Sequence, residues 1–415
     1  MRRRKVWFVA VIVLLSACAV SVFAQALPEA SPEDVGMSAQ RLERVVPVIE
    51  KAIQDSTIPG AVLLVARKGK IVFRRAFGNA QLVPKKIPMR PEMIFDLASI
   101  TKPVATASAV MLLVEEGKLR LQDKVSRFVP EFSRFKKPDG TLAPEARIYH
   151  LLTHTSGLPP YTDAKKVLER YGYPVPIDSL VAYIGRLPKT NAPGKEFHYS
   201  CLGFITLAKI VKDLTGQTVA DFTKERIFRP LGMKHTGFIP QIGETEPDPN
   251  AELIRKFRDW IVPTEVLNGR PLRGTVHDPL ARALGGISGN AGLFSSADDL
   301  AIFAQMLLNG GEFNHVRIFS PLTVMAMTTV YFRTKDAGRG LGWDLLSPYS
   351  SNGGDLFPPG GFGHTGYTGT SIWISPQTQT VTVLLANRVH PRDKGSVVAL
   401  RSYVANVVAS SIIGP

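Results

Sequence analysis

Phe95-Asp96-Leu97-Ala98-Ser99-Ile100-Thr101-Lys102-Pro103 is the stretch on which the reading of this chain turns. It opens an apolar run rich in Ala, Val, Met and Leu, which predicts a helix from about Ser99 to Glu116, stopped by Gly117. Ser99 and Lys102 stand three residues apart, a spacing that puts both side chains on one helical face within reach of each other. A serine hydroxyl is a poor nucleophile until an adjacent base takes its proton. A lysine becomes such a base where burial and nearby positive charge lower its pKa. Free N–H groups at the helix amino terminus favour negative charge developing beside Ser99. The plainer reading is a serine that only caps its helix. A second match, Ser133-Arg134-Phe135-Lys136, sits among charges just before Lys137-Pro138 and opens no apolar helix. Ser99 is therefore the candidate.

Upstream, Met37 to Ile53 carries Leu42, Val45, Val46, Val48 and Ile49 at roughly helical spacing, and Pro59-Gly60 stops it. The runs Ala61–Ala66 and Ile71–Phe77 read as strands joined by Arg67-Lys68-Gly69-Lys70, a hairpin signal. Downstream, about 145–275 is loop-rich with helical stretches such as Leu202–Leu214, and is expected to form a mainly helical lobe. Leu300–Leu308 is helical, Thr370–Ser375 and Thr380–Leu385 alternate as strands around Pro376-Gln377, and Ser396–Ile412 closes the chain as a helix. Strands at both ends with helices between predict one sheet assembled from the two termini, an α+β pattern rather than repeated βαβ units.

The amino terminus reads as an export leader. Met1-Arg2-Arg3-Arg4-Lys5 is a basic start, Val6 to Ala24 is apolar, and Val22-Phe23-Ala24 places small residues at the −3 and −1 positions before Gln25. The expectation is a signal peptide over 1–24 and one serine-nucleophile domain over 25–415. Two rivals stay open: lipidation of Cys18 in Leu15-Ser16-Ala17-Cys18, and an uncleaved membrane anchor. Loss of the leader removes four basic residues and takes the formal charge from +15 to +11. The positive charges are spread along the chain in short clusters such as Lys85-Lys86, as on a solvated basic surface.

Two more segments join Ser99 in chain order. The first is His198-Tyr199-Ser200-Cys201-Leu202-Gly203-Phe204 and the second is Gly363-His364-Thr365-Gly366-Tyr367-Thr368-Gly369. With Phe95–Pro103 they resemble the three motifs of the penicillin-recognising serine hydrolases. The most similar branch is that of class C β-lactamases, serine DD-carboxypeptidases and β-lactamase-like esterases. Leu151–Pro159 and Gly285–Ser295 resemble further segments of that group around its cleft, so the resemblance covers roughly residues 35–410. It implies an antiparallel sheet flanked by helices with a helical lobe set into it. It also implies Ser99 as nucleophile, Lys102 and Tyr199 as proton carriers, and an oxyanion hole from the Ser99 and Tyr367 amides. His364, Thr365, Gly366 and position 201 would then bind substrate.

Two residues depart from, or refine, that pattern. Cys201 stands where the family has Asn, and a thiol is a weak donor and a weak acceptor compared with an amide. By itself Cys201 reads as a small buried hydrophobe, with a thiol nucleophile as the lesser option. His364 in place of Lys resembles DD-peptidases more than class C β-lactamases, and it forfeits a fixed charge if neutral. The other such triplet, His235-Thr236-Gly237, follows Leu231-Gly232-Met233-Lys234 and lacks an obvious alternating strand.

Absences narrow the classes further. A hydrophobic fraction of 45% excludes disorder of the whole chain, and two cysteines cannot build a disulfide scaffold. There is no GxSxG elbow, no HExxH and no GxxxxGK[ST] loop. No cofactor, no metal and no nucleic-acid partner is expected; the partner is a small-molecule or peptidoglycan-derived peptide or ester substrate. The expected activity is that of an exported, periplasmic or secreted serine hydrolase of DD-carboxypeptidase or esterase type. A class C-type β-lactamase and a non-catalytic cell-wall-binding scaffold are the alternatives. Intact-mass spectrometry of the protein exported by its native host checks the leader: a mass starting at Gln25 is expected, and a diacylglyceryl adduct at Cys18 would show lipidation instead.

Overall fold

Apolar runs from the two ends of the chain meet as neighbouring strands. Gly60–Arg67 lies between Lys70–Gln81 and Thr380–Ala386, with Ala61 opposite Ala386 and Arg67 opposite Thr380. Every residue of Gly60–Arg67 is buried, because both faces of the sheet are covered; such strands read as continuous apolar runs rather than alternating ones. Val62, Leu64 and Ala66 enter one apolar cluster and Ala61, Leu63 and Val65 enter another, as the period of two demands. The structure, a computed structural model, describes residues 26–134, 139–142, 144–335 and 337–414. The leader, with Cys18, and Phe135 and Lys136 of the second Ser-x-x-Lys match lie outside the described residues.

The sheet continues on both sides. Its order is Phe332–Arg333, Gly338–Arg339, Asp344–Leu346, Phe362–Thr365, Ser371–Ser375, Thr380–Ala386, Gly60–Arg67, Lys70–Gln81 and Ile87–Pro88, antiparallel throughout. Lys68 and Gly69 both take positive φ, 51° and 77°. This is the two-residue turn whose twist matches that of the strands it joins. Helices Val45–Gln54 and Val398–Ser410 cover one face through Val45, Ile49, Val404 and Val408. Helix Ala297–Leu308 covers the other.

Two elements differ from the sequence expectation for identifiable reasons. The amino-terminal helix is split into Ala39–Leu42 and Val45–Gln54. Pro47 cannot sit inside a continuous helix, but in the first turn of a new one its missing N–H costs nothing. The Ser99 helix begins as a 3₁₀ turn over Ala98–Ile100, widens to π geometry over Lys102–Ala107, and becomes α-helical only over Ser108–Glu115. The Ser108 hydroxyl donates to the Pro103 carbonyl at 2.9 Å across that widened turn. Such π segments cluster at functional sites.

The 145–275 stretch holds helices Ile148–Leu152, Ala164–Tyr171, Ile177–Arg186, Cys201–Thr215 and Glu252–Phe257, with short hairpins between Gln241 and Pro247 and between Val266 and Pro271. It is not sealed off from the sheet. One apolar cluster runs from Val62 and Leu64 through Val104 and Leu113 to Phe204 and Phe228. A small second sheet ties the pieces around Ser99: Leu293–Ser295 pairs with Phe95–Asp96 on one side and Gly237–Phe238 on the other. Just before it, an added Cβ on Gly289 would stand 2.0 Å from the Phe204 carbonyl oxygen of helix Cys201–Thr215. Gly289→Ala is therefore expected to cost about 1–3 kcal/mol, read as a lower midpoint in a denaturant titration.

Candidate active site

Ser99 is held at the end of a strained turn. Ala98, just before it, takes φ +46°, a left-handed conformation that costs a residue with a Cβ about 1–2 kcal/mol. The Asp96 carboxylate holds it there by accepting from the Ala98 N–H at 2.8 Å. One turn on, the Lys102 Nζ donates to Ser99 Oγ at 2.9 Å and to the Asn290 carbonyl at 2.9 Å. Lys102 is fully buried. The expected i, i+3 contact is thus made, and Gly285–Ser295 supplies the carbonyl that aims the ammonium. Thr106 Oγ1 adds a bond to the Gly289 carbonyl at 2.7 Å, and the Leu293 N–H one to Thr101 Oγ1 at 3.0 Å.

Tyr199 arrives from a different element, the coil before helix Cys201–Thr215, where it is half-buried. Its ring lies 5.0 Å from Lys102 Nζ, and its hydroxyl is within hydrogen-bonding reach of Ser99 and Lys102. The Leu151–Pro159 segment is the bed on which it rests. His154 stacks on the Tyr199 ring with centroids 4.2 Å apart and accepts from the Ser200 N–H at 3.0 Å. The Ser200 hydroxyl donates to the Pro159 carbonyl at 2.7 Å, and the Cys201 N–H to the Pro160 carbonyl at 2.9 Å. Cys201, expected as a small buried hydrophobe, is partly buried, and its thiol lies against the Lys102 ammonium and the Asn290 side chain.

The protonation pattern departs from the expected lowering of the lysine. Burial lowers Lys102; charge on Cys201 or Tyr199 once either has ionised, with the Tyr199 hydroxyl and the Asp278 carboxylate, raises it above the ordinary lysine value rather than below it. Burial likewise raises Tyr199, against the opposing pull of Lys102, so the phenol and not the phenolate is the resting form. Burial raises the Cys201 thiol too, which keeps it a poor nucleophile. At neutral pH the resting cluster is an ammonium, a phenol and a thiol. Its protons leave as from one coupled set.

The third motif forms the opposite wall. His364 and Thr365 close strand Phe362–Thr365, which faces the start of the Ser99 helix. His364 is 3% exposed, and burial with the nearby Arg339 and Lys102 charges drives it well below the usual imidazole value, so it is neutral. Its Nδ1 donates to the Thr365 carbonyl at 2.8 Å, which leaves Nε2 as an acceptor with no partner, 6.1 Å ring to ring from Tyr199. Gly366 is required sterically: a Cβ there would meet Thr370 Oγ1 at 2.1 Å and the Leu97 carbonyl at 2.3 Å. The Gly366–Thr370 turn is closed by Gly366 N to the Thr370 carbonyl, 2.7 Å, and Gly369 N to the Gly366 carbonyl, 3.1 Å. His235-Thr236-Gly237 lies elsewhere: Thr236 bonds to Asp299 and Ser295, and His235 packs on Phe257 and Trp260.

Between these walls is a cleft of about 290 Å³, lined by Ser99, Tyr199 and His364–Tyr367, with Tyr349 also on its wall. Three arginines that the motifs do not announce also line it. Arg339 pairs with Asp344 at 2.7 Å, both almost wholly buried, and stacks on Phe197. Arg388 pairs with Asp393 at 2.8 Å and donates to the Tyr367 carbonyl at 2.7 Å. Arg401, on the carboxy-terminal helix, donates among the described residues only to the Gly366 and Thr370 carbonyls, at 2.7 and 2.8 Å. Burial lowers it to about 9, so it stays charged at neutral pH. With two of the three arginines neutralised by carboxylates, the cleft is left net positive.

Comparison with known proteins follows the same lines. A family model described as Beta-lactamase matches residues 45–404. An Escherichia coli K12 protein named "Putative D-alanyl-D-alanine carboxypeptidase" is 34% identical over 393 residues, covering 91% of this chain and 89% of its own. A Salmonella agona protein of the same name is 32% identical over 417 residues, covering 97% and 96%. Among solved structures, EstCE1, described as a hydrolase with promiscuous acyltransferase activity, superposes with a TM-score of 0.70 at 25% identity, over 89% of this chain and 99% of that one. The octameric penicillin-binding protein homologue from Pyrococcus abyssi shares the fold at a TM-score of 0.66 and 24% identity, over 89% of this chain and 76% of that one.

The buried pair on the cleft wall gives a direct test of the arrangement. Asp344→Ala leaves the Arg339 guanidinium buried and uncompensated, and is expected to cost about 3–5 kcal/mol, measured by urea unfolding. The double variant Arg339→Met/Asp344→Ala is expected to recover much of that loss.

Proposed function

The chain belongs to the β-lactamase family and is a serine hydrolase of that fold; from that premise we propose that it works through an acyl-enzyme on Ser99, as a DD-carboxypeptidase acting outside the cytoplasm. The observation that carries the mechanism is the Ser99 hydroxyl held at 2.9 Å by a buried Lys102 ammonium, with the Tyr199 hydroxyl in reach of both. Loss of one proton from this cluster gives an ammonium facing a phenolate. Ser99 then attacks the substrate carbonyl as its own proton passes to Tyr199, and the Lys102 charge stabilises the oxygen left behind. The Ser99 and Tyr367 amides receive the oxyanion. Tyr199 returns the proton to the leaving group, and water, activated the same way, releases the acyl group.

The substrate reading rests on charge. A cleft that is net positive and opens beside the third motif suits a leaving group ending in a free carboxylate, as the terminal D-alanine of a peptide does. An ester without an anionic end would leave that charge unused. Neutral His364 offers its free Nε2 as an acceptor for an N–H of substrate or for the Tyr199 hydroxyl. Cys201, in place of an amide, gives little hydrogen bonding to an acyl side chain, so recognition shifts to the carboxylate end. This, with the relatives' names, favours peptide hydrolysis over simple ester hydrolysis, with β-lactam turnover third.

A fluorophosphonate probe is expected to add once per chain, with the adduct lost in Ser99→Ala; no adduct on a folded protein would sink the mechanism. Tyr199→Phe is expected to lower kcat by about 10²–10⁴-fold with the fold intact. Activity should rise with pH on the alkaline side, since the cluster must shed a proton that burial holds on. Release of D-alanine from a D-Ala-D-Ala peptide, set against its terminal amide, reads the carboxylate preference: near-equal rates would remove it.

A further inference from the structure

Asp96 is buried, lies three residues before Ser99, and no part of the mechanism above uses it. Three of its atoms are nevertheless bonded toward the two amides that would receive the oxyanion. Oδ1 accepts from the Ala98 N–H at 2.8 Å and so fixes the left-handed turn that presents Ser99. Oδ2 accepts from the His277 N–H at 2.7 Å, and the His277 ring stacks on Tyr367 with centroids 5.4 Å apart. The Asp96 carbonyl accepts from Thr368 Oγ1 at 2.7 Å, one residue beyond Tyr367. Thr370 Oγ1 repeats the stitch on the Leu97 carbonyl at 3.1 Å.

We propose that Asp96 is a positioning residue whose carboxylate holds the Ser99 and Tyr367 amides in mutual alignment, and that the hydrolase works fully only while both of its oxygens accept. The proposal rests on the reading of Ser99 as nucleophile and deepens it. Protonation would turn one oxygen into a donor facing an N–H, and one of the two bonds would be lost. Misplacement of reacting groups by about 1 Å costs on the order of 10²-fold in rate.

The surroundings supply a pH dependence. The titratable and charged groups around Asp96 are His277, Glu265 at 3.4 Å from the His277 Nε2, Arg282 bonded to Glu265 and to the His277 carbonyl, and, beyond Tyr367, the Arg388–Asp393 pair. Among the described residues no cation is bonded to the Asp96 carboxylate itself. Burial raises Asp96 to about 6, against the opposing pull of its two N–H donors. Activity should then fall as the pH drops through about 6, well apart from the alkaline titration of Lys102 and Tyr199. Stability should move the other way. A carboxyl raised on folding binds its proton more tightly in the folded chain, so its contribution grows as pH falls from about 6 to about 4.

The experiment measures kcat and KM for p-nitrophenyl butyrate from about pH 4.5 to about 9, with a thermal melt at each pH, on the full chain and on Asp96→Asn. The expected result is a wild-type kcat that falls below about pH 6 while KM holds and the melting temperature does not fall. Asp96→Asn should lose that acid limb and have a plateau kcat about 10²-fold lower. An acid limb unchanged in folded Asp96→Asn, or a fall in kcat matched by a lower melting temperature at assay pH, would overturn the proposal. Should Asp96→Asn not fold, Thr368→Val carries the test, since it removes only the hydroxyl bonded to the Asp96 carbonyl. An expected drop of about 10-fold in kcat at constant KM supports the alignment, and an unchanged kcat overturns it. Fluorophosphonate labelling separates the two readings: an unlabelled wild-type Ser99 removes the nucleophile and this proposal with it, whereas normal labelling with an unchanged acid limb removes only the role of Asp96.

Discussion

A charged ammonium buried with no carboxylate hydrogen-bonded to it among the described residues is the constraint around which this molecule is arranged. Lys102 has no surface exposure, and its hydrogen bonds run to a hydroxyl and a main-chain carbonyl, Ser99 Oγ and Asn290 O. Burial of such a charge is costly unless the groups around it accept its protons. The site meets that cost with neutral acids, a phenol and a thiol, whose own burial keeps their protons on. A carboxylate in the same place would quench the ammonium and leave nothing to steady a developing alkoxide. The widened helical turn over Lys102–Ala107 and the backbone of Gly285–Ser295 keep that ammonium aimed.

Rigidity around this point comes from main chain more than from side-chain packing. Ser99 approaches from a strained turn, Tyr199 from a coil backed by His154, and the His364–Tyr367 wall from the middle of the nine-stranded sheet. Hydroxyls of Thr106, Thr368 and Thr370 and the guanidinium of Arg401 join these segments by donating to main-chain carbonyls. Each bond is modest, but a segment carrying several has no cheap alternative position. The glycines at 289 and 366 let the backbones approach closely enough for those bonds to form.

Charge in the cleft follows from the same economy. Arg339 and Asp344 face each other across adjacent strands as a buried pair, and neither is fully satisfied by hydrogen bonds. Arg401 is bound to carbonyls alone among the described residues. Such a cleft attracts an anionic end and offers a neutral imidazole beside it, a different balance from the one a lysine at position 364 would give.

Local features are legible in the chain alone. The Lys68-Gly69 hairpin, the apolar helix after Ser99 and the strands at both ends of the chain follow from periodicity, turn chemistry and spacing, and the three motifs in order from their resemblance to a known family. Those properties are carried by neighbours along the chain. The charge states of the site and its supports were not legible there. Asp96 reaches His277 across 181 positions, and Lys102 reaches Asn290 across 188. Arg339 and Arg401 belong to no motif, and the π turn at Lys102 depends on what packs around it. The sign of the Lys102 and Tyr199 shifts was decided by burial and by which groups the fold set beside them. A pKa responds to dielectric and to charge at a few ångströms, and only the folded chain fixes those distances.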